Sequence, residues 1–199
     1  MIGKGRIEAL SDGLFAIVLT LLVLDIKPPA GVPQGQLPAE LAKEIPSWIS
    51  FGITFFLGSL YWVHQHRVLR SLSEVSVVST ILNLVFLAFV SVLPFSTSMW
   101  GHNLHQPLAM AIYMGNQFAV AFALMVQMEI AVGRKEVVKD PHLGAVRLRL
   151  ASMCFALATA AVSAYFMSPD RVWIPMIPVF IGVRIAREVR KRRMAAAVA

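Results

Sequence analysis

The sequence predicts an all-α membrane protein, a bundle of six transmembrane helices. Its 199 residues are 57% hydrophobic and only 15% charged, whereas an ordinary soluble domain is about 45–50% apolar and about 25% charged. The charges cluster in short segments between long apolar runs, as expected of a chain that crosses a bilayer several times. Runs such as FAIVLTLLVL do not alternate in polarity, which argues against the strands of a membrane β-barrel.

Six apolar segments account for the predicted helices, and the first five are each near the ~20 residues that cross a hydrocarbon core. The first stops at Lys27-Pro28-Pro29, and the proline-rich connection 27–46 is predicted to be an extended or ordered loop with one short helical turn over ELAKEI. The sixth segment is short and contains two prolines, which a membrane helix tolerates when neighbours satisfy the freed carbonyls. The segments are 7–26, 47–63, 75–95, 108–132, 148–167 and 172–185.

The basic residues predict the orientation of the six helices. Fifteen of the 18 lysines and arginines lie in the N-terminal segment, the second and fourth connections and the tail. The other three connections contain only Lys27, Lys43 and Arg171. Because basic segments remain on the cytoplasmic side, both termini are predicted to be cytoplasmic. The same rule explains the net charge of +7 without a nucleic-acid partner, and the basic tail 188–199 is expected to contact anionic lipid.

Polar residues inside the apolar segments are the candidates for function, since they are costly in a membrane. Ser11 and Asp12 lie one or two turns inside the first helix, His64 lies at the matching depth of the second, and Asn83 lies in the third. Asp12 requires a partner there, because an unpaired carboxylate would take up a proton. These residues either clamp the helices together, take part in gating, or do both.

Three large apolar residues of the first helix, Ile17, Leu21 and Leu24, are spaced by four and three, so they share one helical face with Thr20 between them. In a single chain such a row is ordinarily a packing surface. In a symmetric oligomer with this helix around the axis, the same residues would form stacked apolar rings, which can close a pore by dewetting.

The histidines do not form a recognisable enzyme or metal site. His64 and His66 point about 200° apart on a helix, and no acid or cysteine stands near His102 and His105 to complete a metal site. HExxH, GxSxG and Walker A patterns are absent. We therefore expect no enzymatic activity, no cofactor and no resident metal. Glu129 is expected to pair with Arg134 or Lys135.

The start of the first helix resembles the signature of the transmembrane protein 175 family, potassium channels found in lysosomes and in bacteria. The family pattern Arg-x-x-x-Phe-Ser-Asp stands here as Arg6-Ile7-Glu8-Ala9-Leu10-Ser11-Asp12, with leucine in place of phenylalanine. The continuation GLFAIVLTLLVLDIKPP and the segments YWVHQHR and LNLVFLAFVSVLPF are also similar to the family. The resemblance covers the first three helices well and the last three by topology only.

The resemblance implies a channel without the usual selectivity-filter loop, and no TVGYG sequence occurs in this chain. In the family the first helix lines the pore of a tetramer. By this resemblance, the residues of this chain that would line and constrict the pore are Ile17, Leu21, Leu24 and Thr20. The resemblance likewise implies a clamp between the first three helices, formed by Arg6, Ser11, Asp12, Trp62, His64 and Asn83.

We therefore expect a homotetramer in the bacterial inner membrane that passes K⁺ down its gradient. The channel domain would comprise residues 1–187, followed by the tail 188–199, with membrane lipid as its surroundings and K⁺ only as the permeant ion. One alternative is a proton-coupled transporter or proton pathway using Asp12 and His64. Others are a membrane-embedded enzyme using the histidines and a purely structural membrane component.

Overall fold

A computed structural model describes residues 3–73, 75–137 and 143–166 of the chain. The regular structure of these residues is helical, apart from one isolated antiparallel bridge between Leu72 and Val137. A 3₁₀ turn, Leu22–Asp25, continues the first helix. The helices are α1 (Lys4–Leu21), α2 (Leu37–Lys43), α3 (Ile45–Ser71), α4 (Val77–Ser91), α5 (Leu93–His102), α6 (Pro107–Gly133) and α7 (Leu143–Phe166).

Four helical stretches of the described chain are long and apolar enough to cross a membrane: Lys4–Asp25, Val77–His102, Pro107–Gly133 and Val146–Ser163. They correspond to the first, third, fourth and fifth predicted segments, and the prediction of an all-helical membrane protein is confirmed. The second segment lies in α3, whose 27 residues would extend about 40 Å but are more polar. The sixth segment, 172–185, and the tail, 188–199, lie outside the described residues.

The third segment is longer than the sequence suggested, since helix continues past residue 95 to His102. Pro94 lies in the first turn of α5, where a residue without an N–H is tolerated, so the segment is divided into α4 and α5. The polar residues Ser96 and Thr97, which follow the predicted end of the segment, face the bundle interior. Their hydroxyl groups donate hydrogen bonds to the carbonyl of Leu93 at 3.1 and 2.7 Å.

The buried stripe of α3 is largely polar, whereas its exposed surface carries large apolar side chains such as Phe55 and Phe56. This arrangement suits a membrane bundle, because lipid accepts the apolar side chains and interhelical hydrogen bonds satisfy the polar ones. Thr54 bonds the Tyr113 hydroxyl at 3.0 Å, and the hydroxyl of Tyr61 donates to the carbonyl of Gln117 at 3.1 Å. The stripe includes Ser47, Ser50, Thr54, Gly58, Tyr61 and Gln65.

The prediction that Glu129 pairs with Arg134 or Lys135 is wrong. Glu129 forms a two-pronged ion pair with Arg147 of α7. The chain turns sharply after α6, with Lys135 in the left-handed region at φ 58°, and Arg134 pairs with Glu136 at 2.8 Å. Helix α7 packs closely along α6, and that packing brings an arginine distant in sequence to Glu129.

Candidate functional site

Helix α1 has two opposite faces, one buried in the bundle and one uncovered. The buried face repeats at intervals of three and four residues and carries Phe15 and Val18, which are 2% and 4% exposed. The uncovered face carries the exposed row, Ile17, Leu21 and Leu24, with exposures of 61%, 43% and 71%. The sequence-predicted row therefore does lie along one face, and nothing in the described chain covers it.

Thr20 is also exposed, and its hydroxyl group bonds back to its own helix. The hydroxyl oxygen lies 2.9 Å from the carbonyl of Ala16 and 2.8 Å from that of Ile17. Because the hydroxyl proton is used within the helix, the oxygen presents lone pairs to its surroundings. Thr20 thus adds a hydrogen-bond acceptor to an otherwise apolar face.

A buried polar anchor, formed by Ser11, Gln65 and Asn83, joins α1, α3 and α4. The amide of Asn83 donates to the Ser11 hydroxyl at 3.1 Å, and the amide of Gln65 donates to the Asn83 carbonyl oxygen at 3.0 Å. Ser11 in turn donates to the carbonyl of Ile7 at 2.8 Å. All three side chains are at most 1% exposed, so the geometry fixes α1 against its neighbours at this depth.

Asp12 finds its partner on α3, where the indole Nε1 of Trp62 donates to its carboxylate at 2.8 Å. The two residues are exposed on the bundle surface, one position along the helix from the buried anchor. Trp62 also stacks against the ring of His66, with 6.1 Å between ring centroids. The indole is therefore held in place from both sides.

Two of the predicted clamp residues do not join this arrangement. The Nδ1 of His64 lies 2.7 Å from the carbonyl of Leu60 in its own helix, so its ring caps a local turn and does not contact Asp12. Arg6 is exposed, and its side chain makes neither an ion pair nor a hydrogen bond within the described ranges. The clamp that the structure contains is thus Ser11, Asn83 and Trp62 with Asp12, extended by Gln65.

The sequence analysis did not identify Gln65, although an amide side chain at the end of an apolar segment indicates a possible interhelical hydrogen bond. A second connection was also missed, at the end of the bundle that holds the α1 N-terminus. There the ammonium group of Lys4 donates to the carbonyls of Arg70 and Leu72 at 3.2 and 2.9 Å. Leu72 is bridged to Val137, so the start of α1 is tied to the segment after α6.

Glu136 holds that segment in place. Its backbone carbonyl accepts from both the N–H and the hydroxyl of Ser73 at 2.8 Å, and its carboxylate accepts from the Ser79 hydroxyl of α4 at 2.6 Å. Partial burial raises the pKa of the Glu136 carboxyl, but hydrogen bonds from Ser79, Arg134 and Ser76 and the Arg134 charge outweigh it. The pKa consequently lies below its usual value.

At the opposite end of α1, the carboxylate of Asp25 contacts α5. Ser98 donates its hydroxyl to one carboxylate oxygen at 2.8 Å, and the Nδ1 of His102 lies 3.6 Å from the other. That nitrogen also lies 3.0 Å from the carbonyl of Ser98. Neither Asp25 nor Ser98 was singled out from the sequence, since the contact joins residues 73 positions apart.

The arrangement is a helix fastened at both ends and at one buried polar point, with its apolar face left open. No group of three or more histidine, cysteine, aspartate or glutamate side chains in the described part of the chain could hold a metal ion. An open apolar face on a firmly held helix is suited to contacts with lipid or with further copies of the chain.

Comparison with known proteins gives this geometry a context. A family model described as "Endosomal/lysosomal potassium channel TMEM175" matches residues 6–94. A potassium channel of Streptomyces collinus is 33% identical over 163 residues, which cover 78% of this chain and 77% of that protein. The mouse endosomal/lysosomal proton channel TMEM175 is 33% identical over 118 residues, covering 54% of this chain and 24% of the mouse protein.

A solved structure is also similar to the whole bundle. The crystal structure of a lysosomal potassium-selective channel TMEM175 homolog from Chamaesiphon minutus matches with a TM-score of 0.77 and 26% sequence identity. The match covers 95% of this chain and 97% of that chain. The likeness therefore extends over the helices beyond the segment that the family model matches.

Proposed function

This chain belongs to the TMEM175 family, and we propose that it conducts K⁺ passively through a pore formed by four copies around a central axis. The family is one of channels, and several relatives are named potassium channels. The observation that carries the proposal is the uncovered row of Ile17, Leu21 and Leu24 on a helix whose opposite face is buried.

In the proposed pore, these apolar rings close the path and determine its ion selectivity, and a carbonyl filter does not. Large side chains around a narrow axis disfavour a continuous water column, so small changes in their spacing wet or dewet the path. Thr20 adds a ring of hydroxyl oxygens beside the Ile17 ring. Since no backbone carbonyls replace the hydration of the ion, K⁺ keeps much of its water, and the selectivity over Na⁺ is modest.

The contacts of α1 support its role as the helix around the axis. The Ser11–Asn83–Gln65 anchor and the Trp62–Asp12 hydrogen bond fix the rotation of α1, which decides which side chains face outward. The proposed subunit has six membrane helices in a bacterial inner membrane, with both termini cytoplasmic and lipid around its outer surface.

The pore face is tested by recording purified protein in planar bilayers with K⁺ on one side and Na⁺ on the other. Ile17→Asn is expected to change unitary conductance or selectivity, because it places an amide in the apolar constriction. Ile81→Asn is the matched control, since Ile81 of α4 is also exposed, at 54% against 61%, but lies on another helix. Val18→Asn, on the buried face, is expected mainly to lower stability. Equal effects on conduction at the three positions would contradict the assigned pore face.

The tetramer is tested separately, by cross-linking in a Cys154→Ala background. Copies of Ile17→Cys that meet at an axis are expected to form disulfides under mild oxidation, whereas Ile81→Cys is expected to give fewer. Native mass spectrometry of the wild-type protein in detergent is expected to give four chains per particle. A monomeric particle, or cross-links at position 81 alone, would contradict a central pore lined by α1.

Proton conduction is the second candidate, because the mouse relative is named a proton channel. A pathway through Asp12 and His64 would require the two side chains to exchange a proton, and His64 instead bonds Leu60. Flux that follows a pH gradient in vesicles and ignores K⁺ would favour this candidate. Flux that reverses at the K⁺ equilibrium potential would favour the potassium channel.

A further inference from the structure

We propose that Asp25 concentrates cations at the outer mouth of the pore and thereby determines the inward K⁺ current at low salt; this inference rests on the proposed function. Asp25 follows Leu24, the last residue of the exposed row, at the end of the 3₁₀ turn. Its side chain is 35% exposed. In a tetramer built around α1, four such carboxylates surround the outer end of the apolar constriction.

The position of this carboxylate is fixed by α5. The Ser98 hydroxyl donates to one oxygen at 2.8 Å, and the Nδ1 of His102 lies 3.6 Å from the other. Both partners lie one turn apart on the same helix face and contact each other through the Ser98 carbonyl at 3.0 Å. The Ser98 hydrogen bond therefore fixes the position of the carboxylate relative to α5, and a charge that acts on permeating ions requires such a fixed position.

Helix stability does not explain an aspartate at this position. The C-terminal end of a helix carries partial negative charge, so a carboxylate there is electrostatically unfavourable. Its hydrogen-bond partner Ser98 carries no charge. Lys27, two residues further on, forms no ion pair with Asp25 in the described part of the chain. The Asp25 carboxylate oxygens are therefore available to cations.

The size of the effect follows from Coulomb's law with screening. Four unit charges about 10 Å from the axis raise the local concentration of a monovalent cation about threefold at 0.1 M salt. At 1 M salt, where the Debye length is about 3 Å, the increase falls to about 1.1-fold. Ions entering from the outer side pass these charges first, so the inward current is affected more than the outward current.

The test compares unitary inward currents of wild type and Asp25→Asn at pH 8, in 0.1 M and in 1 M KCl. Asparagine keeps an oxygen that accepts from Ser98 and removes only the charge. The inward current of D25N is expected to be about threefold smaller at 0.1 M and to equal that of wild type at 1 M. Ser98→Ala keeps the charge and loosens its attachment, and Asp25→Glu keeps the charge, so both are expected to lose less current than D25N.

Each other result overturns the proposal. If wild-type protein conducts K⁺ and D25N carries the same inward current at 0.1 M, the proposed channel function stands and the proposed role of Asp25 is wrong. An equal loss at both salt concentrations would assign Asp25 a purely structural role, and thermal unfolding of the detergent-solubilised tetramer would then show the matching loss of stability. Absence of K⁺ current from wild-type protein would overturn the proposed function itself, and this inference with it.

Discussion

Replacing Asn83 with leucine tests whether the polar anchor holds α1 in position. Asn83 is 1% exposed and links Ser11 of α1 to Gln65 of α3 through two hydrogen bonds of 3.1 and 3.0 Å. Leucine has the same number and branching of side-chain heavy atoms but neither a donor nor an acceptor. The substitution therefore removes both interhelical hydrogen bonds without opening a large cavity.

The expected loss follows from the groups that remain buried. Hydrogen bonds between membrane helices are worth about 0.6 kcal/mol on average and up to about 1.7 kcal/mol, so two account for roughly 1–3 kcal/mol. The amide of Gln65 is left without its acceptor, at a cost in the same range. Ser11 retains its bond to the carbonyl of Ile7. We expect Asn83→Leu to lower the free energy of unfolding by about 2 kcal/mol.

The assay combines equilibrium unfolding in mixed micelles with amide hydrogen exchange. Faster exchange is expected specifically in α1 of N83L, because this helix loses its buried polar contact. Asn116→Leu is the matched control, since Asn116 donates one hydrogen bond to Ser96 at 3.0 Å and forms no hydrogen bond with α1 in the described part of the chain. An N83L protein as stable as wild type, or faster α1 exchange in N116L as well, would refute the anchoring role.

Two further substitutions test other contacts of the bundle. The pKa of Glu136 lies below its usual value, so its carboxylate contributes stability above the unfolded pKa near 4.3. That stability is lost as the pH falls through the folded pKa. In thermal unfolding, Glu136→Gln is therefore expected to lose less stability than wild type when the pH falls below about 4.5. At Gly58, an added Cβ would lie 2.7 Å from the Cδ2 atom of Leu19, so Gly58→Leu should destabilise the α1–α3 contact by about 1–3 kcal/mol in chemical unfolding, whereas Gly58→Ala, which displaces only the flexible end of Leu19, should cost less.

The exposed row and part of the clamp could be predicted from the sequence because they depend on local periodicity. Spacing by three and four places Ile17, Leu21 and Leu24 on one face in any α-helix, and the structure leaves that face uncovered. The sequence also predicts that Asp12 has a polar partner on the second membrane segment, at the same depth in the membrane. Its identity as Trp62 rather than His64 depends on the rotation of α3, which residue types alone do not fix.

The tertiary contacts between distant segments could not be predicted. Glu129 was assigned to the nearest cations along the chain, whereas the pairing with Arg147 depends on how α7 packs along α6. The Asp25–Ser98 contact joins residues 73 positions apart. Both contacts involve polar groups that follow no periodic pattern in the sequence. Their partners are set by helix packing, about which short-range spacing carries no information.

The division of polar contacts along α1 explains how one helix can be both firmly held and open on one side. Lys4 and Ser11 fasten its first half to the neighbouring helices, and Asp25 fastens its far end to α5. No interhelical hydrogen bond of the described chain falls on the stretch from Ile17 to Leu24, so this stretch is held by apolar packing alone. Such packing is non-directional, and it permits small shifts of the exposed row while both ends stay in place. A constriction that wets and dewets requires that combination of fixed ends and an adjustable centre.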